Sequence, residues 1–417
     1  MRDTLGVLLA GGAGERLYPL TRDRAKPAVS FGGIYRIIDI TLSNCINSNL
    51  QKIFILTQYK ALSLNRHIRE GWGGVVSREL GDFIEVLPPM KRVSDTWYQG
   101  TADAVYQNIY SIGSEQPKYV LILSGDHIYK MNYELMLKQH TESGADVTLA
   151  TILIDPSESK RFGCIDVGKN GEVLGFEEKP KETALRSPFH PEMVSGSMGV
   201  YLFNTDVLLP VLLKDAEDPD SSHDFGHDIL PRILDEYKVF AFNFIDENRK
   251  EALYWRDVGT LEAYYEASMD LVSVSPVFNL YDKAWPIRTH QRQYPPAKFV
   301  FAEHGRTGTA VDSIIAMGSI ISGSSVRSSV VSPDVRVNSY SEIDSSIIFS
   351  HVNIGRHCRI RRAIIDRDVH IPEGSVIGFD PEQDKQKYFV SEEGITVVTR
   401  DYSLFESPVS VDYFTSE

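Results

Sequence analysis

Three short stretches of the chain carry residue types that can hold a phosphate chain and a cation. The first is Gly11-Gly12-Ala13-Gly14-Glu15-Arg16-Leu17, which follows the apolar run Leu5 to Ala10. Small residues there let backbone N–H groups approach phosphate oxygens, and Arg16 adds a planar cation. Arg24, Lys26 and Pro27 follow closely and are expected to close the same loop over those oxygens. The stretch lacks the Gly-Lys-Ser/Thr ending of a P-loop, and its spacing is not that of a dinucleotide fingerprint. Taken alone, it also fits a tight strand-to-helix turn with solvated bases.

The second stretch is Ser124-Gly125-Asp126-His127, at the end of the apolar run Tyr119 to Leu123. A carboxylate leaving the carboxyl edge of a sheet suits Mg²⁺, a hard cation that takes oxygen ligands and bridges phosphates. Asp257, in Tyr254-Trp255-Arg256-Asp257-Val258-Gly259-Thr260, is the best partner for Asp126. Either aspartate alone also reads as a helix cap or turn former. Together with the loop they describe a triphosphate and metal site.

The third is Glu178-Lys179-Pro180, where proline stops a strand and leaves Lys179 at its edge. Lys179 reads either as a solvated surface charge or as a point cation for a second phosphate, one carried by a sugar. Trp97 and Tyr98 precede a helix start at Thr101-Ala102-Asp103. Stacking on a ring substrate and core packing both account for them.

Positioning these residues requires a sheet, and the first 270 residues have its pattern. Short apolar runs alternate with amphipathic segments, as in strand, crossover helix and parallel strand. Strands are expected at Leu5–Ala10, Lys52–Thr57, Tyr119–Leu123, Asp146–Ile152 and Gly199–Phe203. Helices are expected at Ile37–Ser48, Leu62–Arg69, Ala102–Ser111 and Tyr133–Ser143. The result is a doubly wound α/β domain, whose ligands sit at the carboxyl ends of the strands.

Beyond residue 310 the period changes. Ile314, Val331, Ile348 and Ile365 fall 17 residues apart, as do Ile320, Val337, Ile354 and Ile371, and again Val326, Ile343, Ile360 and Ile377. Three columns spaced 6, 6 and 5 residues apart describe a three-sided coil with one inward aliphatic residue per side. That is a parallel β-helix; a β-sandwich has no reason to keep a fixed period. The expected division is a catalytic domain over 1–270, an ordered linker over 271–309 containing Trp285, Pro286, Pro295 and Pro296, and the β-helix over 310–417.

Composition narrows the partners. Hydrophobic residues at 42% and charged residues at 24% are ordinary for a globular chain, and 417 residues exceed what one core usually organises. A net charge of −14 argues against nucleic acid. Cys45, Cys164 and Cys358 are too few and too scattered for a disulfide framework or a metal knuckle. No apolar run reaches the ~20 residues of a membrane helix and no signal peptide is evident, so the cytoplasm is expected.

In order, the glycine loop with Lys26-Pro27, the Trp97 to Val105 segment, Ser124-Gly125-Asp126-His127, Glu178-Lys179-Pro180, Ser222-His223-Asp224-Phe225-Gly226 and Tyr254 to Thr260 resemble the glucose-1-phosphate adenylyltransferase family. The resemblance runs from about residue 5 to the end. It implies a Rossmann-like nucleotidyltransferase domain followed by a left-handed parallel β-helix. The implied reaction is ATP plus glucose 1-phosphate giving ADP-glucose and pyrophosphate, the entry to glycogen and α-glucan synthesis. Gly11, Gly12, Gly14, Arg16 and Lys26 would hold ATP, with Arg16, Lys26 and Asp126 catalytic and Asp126 and Asp257 on Mg²⁺. By the same resemblance Tyr98, Gly163, Glu178, Lys179 and Ser197 would line the glucose 1-phosphate pocket, Ser197 just before a strand.

Such enzymes are typically homotetramers or related heterotetramers controlled by metabolites of central carbon metabolism, and anionic effectors are expected. Arg356, Arg359, Arg361, Arg362 and Arg367 crowd the β-helix, with Arg36 as a contributor from the catalytic half. They read either as a solvated basic face or as an effector site. Asp23 stands where fructose-1,6-bisphosphate-activated relatives carry lysine, and Ala13 where they carry arginine, so little response to that activator is expected. Three alternatives stay open. One is the same chemistry with UTP or dTTP. Another is an added acyltransferase, for which His351, His357 and His370 lack a supporting motif. The last is a non-catalytic regulatory subunit.

Overall fold

A computed structural model describes residues 1–12, 14–89, 97–183, 185–188, 190–244, 254–303 and 305–400. Ala13, expected to bear on regulation, lies outside the described residues. The catalytic half is built on β1 (Thr4–Ala10), α1 (Ile37–Asn47), β2 (Lys52–Thr57), α2 (Leu62–Gly71) and β3 (Phe83–Leu87). The chain continues through α3 (Thr101–Tyr106), α4 (Ile109–Ser114), β4 (Tyr119–Ser124), β5 (His127–Tyr129), α5 (Tyr133–Ser143) and β6 (Val147–Ile154). It closes with β7 (Gly163–Val167), β8 (Val173–Glu178), β9 (Val194–Asn204), α6 (Thr205–Ala216), β10 (Val239–Asn243), β11 (Trp255–Asp257) and α7 (Leu261–Asp270).

The main sheet runs β8-β7-β9-β4-β1-β2-β3, with β6 against β9 and β10 against β6. Strands β4, β1, β2 and β3 are parallel, as expected for a doubly wound domain. The other side is mixed, because β9 pairs antiparallel with β4, β6 and β7. The topology explains the site. The chain walks from β1 outward through β2 and β3, then returns to β4 on the other side of β1. The order reverses there, opening a crevice at the carboxyl ends of β1 and β4. Gly11 and Asp126 follow those two ends.

Two expected elements differ. The helix expected over Ala102–Ser111 is broken between Tyr106 and Ile109. Asn108 turns its amide Nδ2 to the Ala104 carbonyl at 2.8 Å and the Tyr98 hydroxyl at 3.0 Å. A strand expected to begin at Gly199 begins at Val194, and its ladder with β6 bulges between Ser197 and Tyr201. Ser197 therefore lies inside a strand, and its hydroxyl accepts from the Gly199 N–H at 3.3 Å.

The C-terminal half is a β-helix of two- and three-residue strands stacked in three parallel sheets. Its corners use left-handed backbone in columns such as Asp334, His351 and Asp368, at φ near 60°. Stacked rows give the registers Val331↔Ile348↔Ile365, Val337↔Ile354↔Ile371 and Val326↔Ile343↔Ile360↔Ile377. The first rung corrects two members of the expected columns. Val331 stacks on Ile315, not Ile314, and Val337 on Ile321, not Ile320. The first coil has 16 residues, as 331 minus 315 shows.

One sheet of the β-helix is apolar on both faces. Val331, Ile348 and Ile365 point into the coil, while Val330, Ile347 and Ile364 point outward into a core shared with Phe31 and Tyr264 of the other half and Phe278 of the segment between. The segment between the halves is tied along α1. Trp285 Nε1 donates to Asn44 Oδ1 at 2.9 Å, and Asn47 Nδ2 donates to the Pro286 carbonyl at 3.0 Å. Lys130, fully buried, donates to the Asn279 carbonyl at 2.6 Å.

Arg24 departs from its expected role. It does not reach over the phosphate loop; its Nη2 meets Asp366 Oδ2 of the β-helix at 2.8 Å, and both side chains are under a tenth exposed. Removing one member strands the other in an apolar core, which costs about 3–5 kcal/mol, whereas replacing both by apolar groups is far cheaper. Asp366→Asn should therefore lower the melting temperature of the full chain, and Arg24→Met/Asp366→Leu should recover most of the loss. Thermal denaturation of the three proteins tests this.

Candidate active site

The glycine turn is anchored from below. Leu17 and Leu20 are fully buried, and Thr21 Oγ1 donates to the Gly14 carbonyl at 2.8 Å. Gly14 has φ +66°, and a Cβ there would stand 3.1–3.2 Å from the Thr21 and Lys26 side chains, so both conformation and space call for glycine. Lys26 opens a single helical turn, Lys26–Ala28, that leaves its side chain only 8% exposed.

Its ammonium sits between two carboxylates, donating to Asp126 Oδ2 at 2.8 Å and to Asp257 Oδ1 at 2.9 Å. Asp257 is delivered by a local device. β11 pairs antiparallel with β5 and sets Asp257 opposite His127, the residue after Asp126. Ser124 Oγ also donates to Asp126. Burial pushes the Asp126 carboxyl up, but Lys26 and His127 outweigh it and hold it well below the usual carboxylate range. Burial would likewise lower the Lys26 ammonium, and Asp126 and Asp257 reverse this into a rise.

Ligand atoms of Asp126, His127 and Asp257 lie within 4.8 Å of one another. Two carboxylates already disposed about the Lys26 cation form a donor set that fits a divalent ion. Arg16 arrives from the loop: Arg16 Nη2 and Asp257 Oδ2 both come within about 3.1 Å of the point where Gly259 would carry a Cβ. Gly11, Gly12, Gly14, Arg16, Lys26, Tyr98, Asp126 and Gly259 line one cleft of about 800 Å³.

The aromatic pair divides. Tyr98 lines the cleft, its backbone N–H donating to Gln58 Oε1 at 3.0 Å. Burial pushes its phenol pKa up. Trp97 is 56% exposed and stacks on Tyr59 at 5.5 Å between ring centroids.

Gly163, Glu178, Lys179 and Ser197 form a second group on β7, β8 and β9. Glu178 is the register partner of Gly163, and Lys179 Nζ meets Glu178 Oε1 at 2.5 Å. Lys179 takes left-handed backbone, φ +45°, and its N–H donates to the Phe162 carbonyl at 3.0 Å. None of these four is among the residues lining the cleft named above; Asp224, which does line it and accepts from Thr101 Oγ1 at 2.9 Å, shares with Glu178 the neighbourhood of Gly226. Sequence reasoning gave Asp224 no site role. Its signal is that of a cap, which it also is, accepting from the N–H groups of Gly226 and His227.

Of the arginines expected at an effector site, Arg36 and Arg367 are brought together and Arg356, Arg359, Arg361 and Arg362 are not. Arg36 and Arg367 line a cavity of about 160 Å³ between the halves, with Arg66 and His67. Burial lowers the Arg36 guanidinium to about 10. Arg359 and Arg361 lie on the outer face of the β-helix, paired with Glu342 at 3.9 Å and Asp344 at 3.7 Å one coil below. Arg362 lies over the Tyr265 ring, and Arg356 over Tyr340. Asp23 pairs with Arg22 at 3.1 Å.

The nucleotidyl transferase family profile matches residues 5–274, and the GlmU-like C-terminal hexapeptide profile matches 295–398. Over the whole of both chains, this one is 78% identical to the glucose-1-phosphate adenylyltransferase of Koribacter versatilis. The chain belongs to the glucose-1-phosphate adenylyltransferase family. The identically named proteins of Rhodopirellula baltica and Shewanella sp. (strain ANA-3) are 53% and 52% identical. They align over 99% and 96% of this chain and 93% and 95% of their own lengths. Membership makes this chain a nucleotidyltransferase, a class of enzyme that generally works with divalent metal ions. Among the described residues no helix is long and apolar enough to cross a membrane.

A carboxyl group held below its ordinary pKa of about 3.9 stabilises the fold above that pH, and the contribution fades as pH falls toward the folded value. Asp126→Asn, which leaves Lys26 paired with Asp257, should cost about 1–3 kcal/mol. The melting-temperature deficit should be equal at pH 5 and pH 8 and should shrink below pH 4, as read by thermal scans in low-salt buffers.

Proposed function

We propose that this chain transfers the adenylyl group of ATP to glucose 1-phosphate, releasing pyrophosphate and forming ADP-glucose. The observation that carries the reading is the Lys26 ammonium between Asp126 and Asp257 beside a glycine turn, in a chain 78% identical to a named glucose-1-phosphate adenylyltransferase. A phosphate oxygen of the sugar phosphate attacks the α-phosphorus in line, the bond to the β-phosphate oxygen breaks, and pyrophosphate leaves on the opposite side. No protein nucleophile is needed.

Gly11, Gly12 and Gly14 would receive the triphosphate on backbone N–H groups, and Arg16 and Lys26 would take up charge on the leaving pyrophosphate. Lys179 would bind the sugar phosphate as a point cation, with Tyr98, Gly163, Glu178 and Ser197 around the sugar. Asp126 and Asp257 would hold a divalent ion, which we infer to be Mg²⁺, and it would supply charge neutralisation between the phosphates. In this reading residues 1–270 form the catalytic domain, 271–309 the connection, and 310–417 a regulatory and oligomerisation domain of a cytoplasmic homotetramer. Of the arginines, Arg36 and Arg367 supply the effector site, because they line one cavity between the halves.

Pyrophosphate release with glucose 1-phosphate and each of ATP, UTP and dTTP tests the reading, and preference for UTP or dTTP overturns the adenylyl assignment. Asp126→Asn should lower kcat about 100-fold or more. Turnover of the native protein should change less than about twofold with fructose 1,6-bisphosphate, since Asp23 adds a negative charge where activated relatives carry a lysine; a strong response in a steady-state assay contradicts this.

A further inference from the structure

Glu178 ends a strand, and its carboxylate is seated between two residues that have no side chain. A Cβ built on Gly226 would stand 2.6 Å from Glu178 Oε2 and 3.0 Å from its carboxyl carbon. A Cβ built on Gly163 would stand 2.9 Å from the same oxygen. The two glycines come from unrelated places: Gly163 opens β7, and Gly226 lies in the turn Phe225–Ile229 that Asp224 caps. Lys179 Nζ lies 2.5 Å from the other carboxylate oxygen, so a shift of the carboxylate carries the ammonium with it.

The three glycines that pack closely here answer a substitution differently. At Gly100 a Cβ would meet the His223 carbonyl oxygen at 2.1 Å, and backbone has nowhere to go. At Gly163 it would also meet the Phe176 ring at 2.4 Å, inside the sheet. At Gly226 the obstacle is the end of a flexible side chain, and Asp224 Oδ1 at 3.4 Å is in ordinary contact. Gly226 has no left-handed backbone, so alanine is conformationally acceptable. A methyl group at 226 therefore leaves the fold in place and moves the Glu178 carboxylate.

We propose that Gly226 is a positioning residue for the sugar phosphate: its missing side chain fixes the Glu178 carboxylate, and through it the Lys179 ammonium. This rests on the reading that Glu178 and Lys179 belong to the glucose 1-phosphate site. In that reading ATP meets the other group of residues, which a methyl group at 226 touches only through Asp224 in ordinary contact, so the effect falls mainly on the sugar phosphate.

The test uses the full-length protein and compares Gly226→Ala, Glu178→Asp, Gly226→Ala/Glu178→Asp and Glu178→Gln with the native chain. Gly226→Ala should raise KM for glucose 1-phosphate about tenfold or more, leave KM for ATP within about twofold, and shift the melting temperature little. In the Glu178→Asp background the same methyl group should have a much smaller effect, because the shorter acid withdraws from it. Equal rises in both KM values, or effects of Gly226→Ala and Glu178→Asp that simply multiply, overturn the proposal. If Glu178→Gln raises KM for glucose 1-phosphate while Gly226→Ala does not, the role of Gly226 falls and the sugar site stands. If Glu178→Gln leaves that KM unchanged, the sugar-site reading falls and takes the role of Gly226 with it. Should Gly226→Ala fold poorly, the double variant carries the comparison, since its shorter acid removes the clash.

Discussion

The structure turns on a single cation between two anions. Asp126 and Asp257 approach within reach of one ammonium, that of Lys26, and their mutual repulsion would not allow such an approach without it. The three residues come from distant parts of the chain and need three separate devices. Lys26 needs the short turn after the glycine loop. Asp126 needs the carboxyl end of β4 beside that of β1. Asp257 needs the three-residue ladder between β11 and β5. None of these devices is strong alone, and the ion pairs join them into one site.

The same loop is held from the far side by the β-helix. Arg24 stands two residues before Lys26 and is buried against Asp366, whose Oδ1 accepts from the Arg367 N–H at 2.7 Å. A buried pair is costly to form and more costly to break, so it favours one placement of the two halves over others that would bury the same apolar area. The apolar area comes from the outward column Val330, Ile347 and Ile364. Nonspecific burial presses the halves together, and the ion pair fixes where they sit.

Much of this could be read in the sequence, for reasons that differ by region. The parallel strands β1, β2 and β4 and the β-helix rows were legible because burial on one or both faces imposes a period that side chains must obey. The first coil was misread by one residue because Ile314 and Ile315 are both aliphatic, one facing each way, so the pattern cannot tell inside from outside. The doublets Val330-Val331, Ile347-Ile348 and Ile364-Ile365 carried an unused signal: an aliphatic pair on every turn of one side means that the outer face of that side is also covered. Arg24 could not be placed from spacing, since it is as close to Lys26 as a phosphate ligand would be and its partner is 342 residues away. The crowding of Arg356 to Arg367 was visible, but the corners of a three-sided coil turn successive short strands toward different sides. Glu342 and Asp344, one coil earlier, supply the partners that neutralise Arg359 and Arg361.

Charge completes the argument about what the cleft can do. The chain carries −14 overall, yet both proposed substrates are phosphate anions. Attraction from a distance is weak in such a protein, and at physiological ionic strength charges beyond about 8 Å are largely screened. In the proposed reading, binding rests on cations at the site, where burial reduces screening. Arg16 and Lys26 line the cleft, Lys26 between two carboxylates, and Lys179 is paired with Glu178 at the end of β8. In that reading a phosphate reaching Lys26 or Lys179 takes over a cation held in place by a carboxylate instead of ordering a free one. The glycines matter for the same reason, because they let carboxylate, cation and phosphate come within contact of one another with no side chain between.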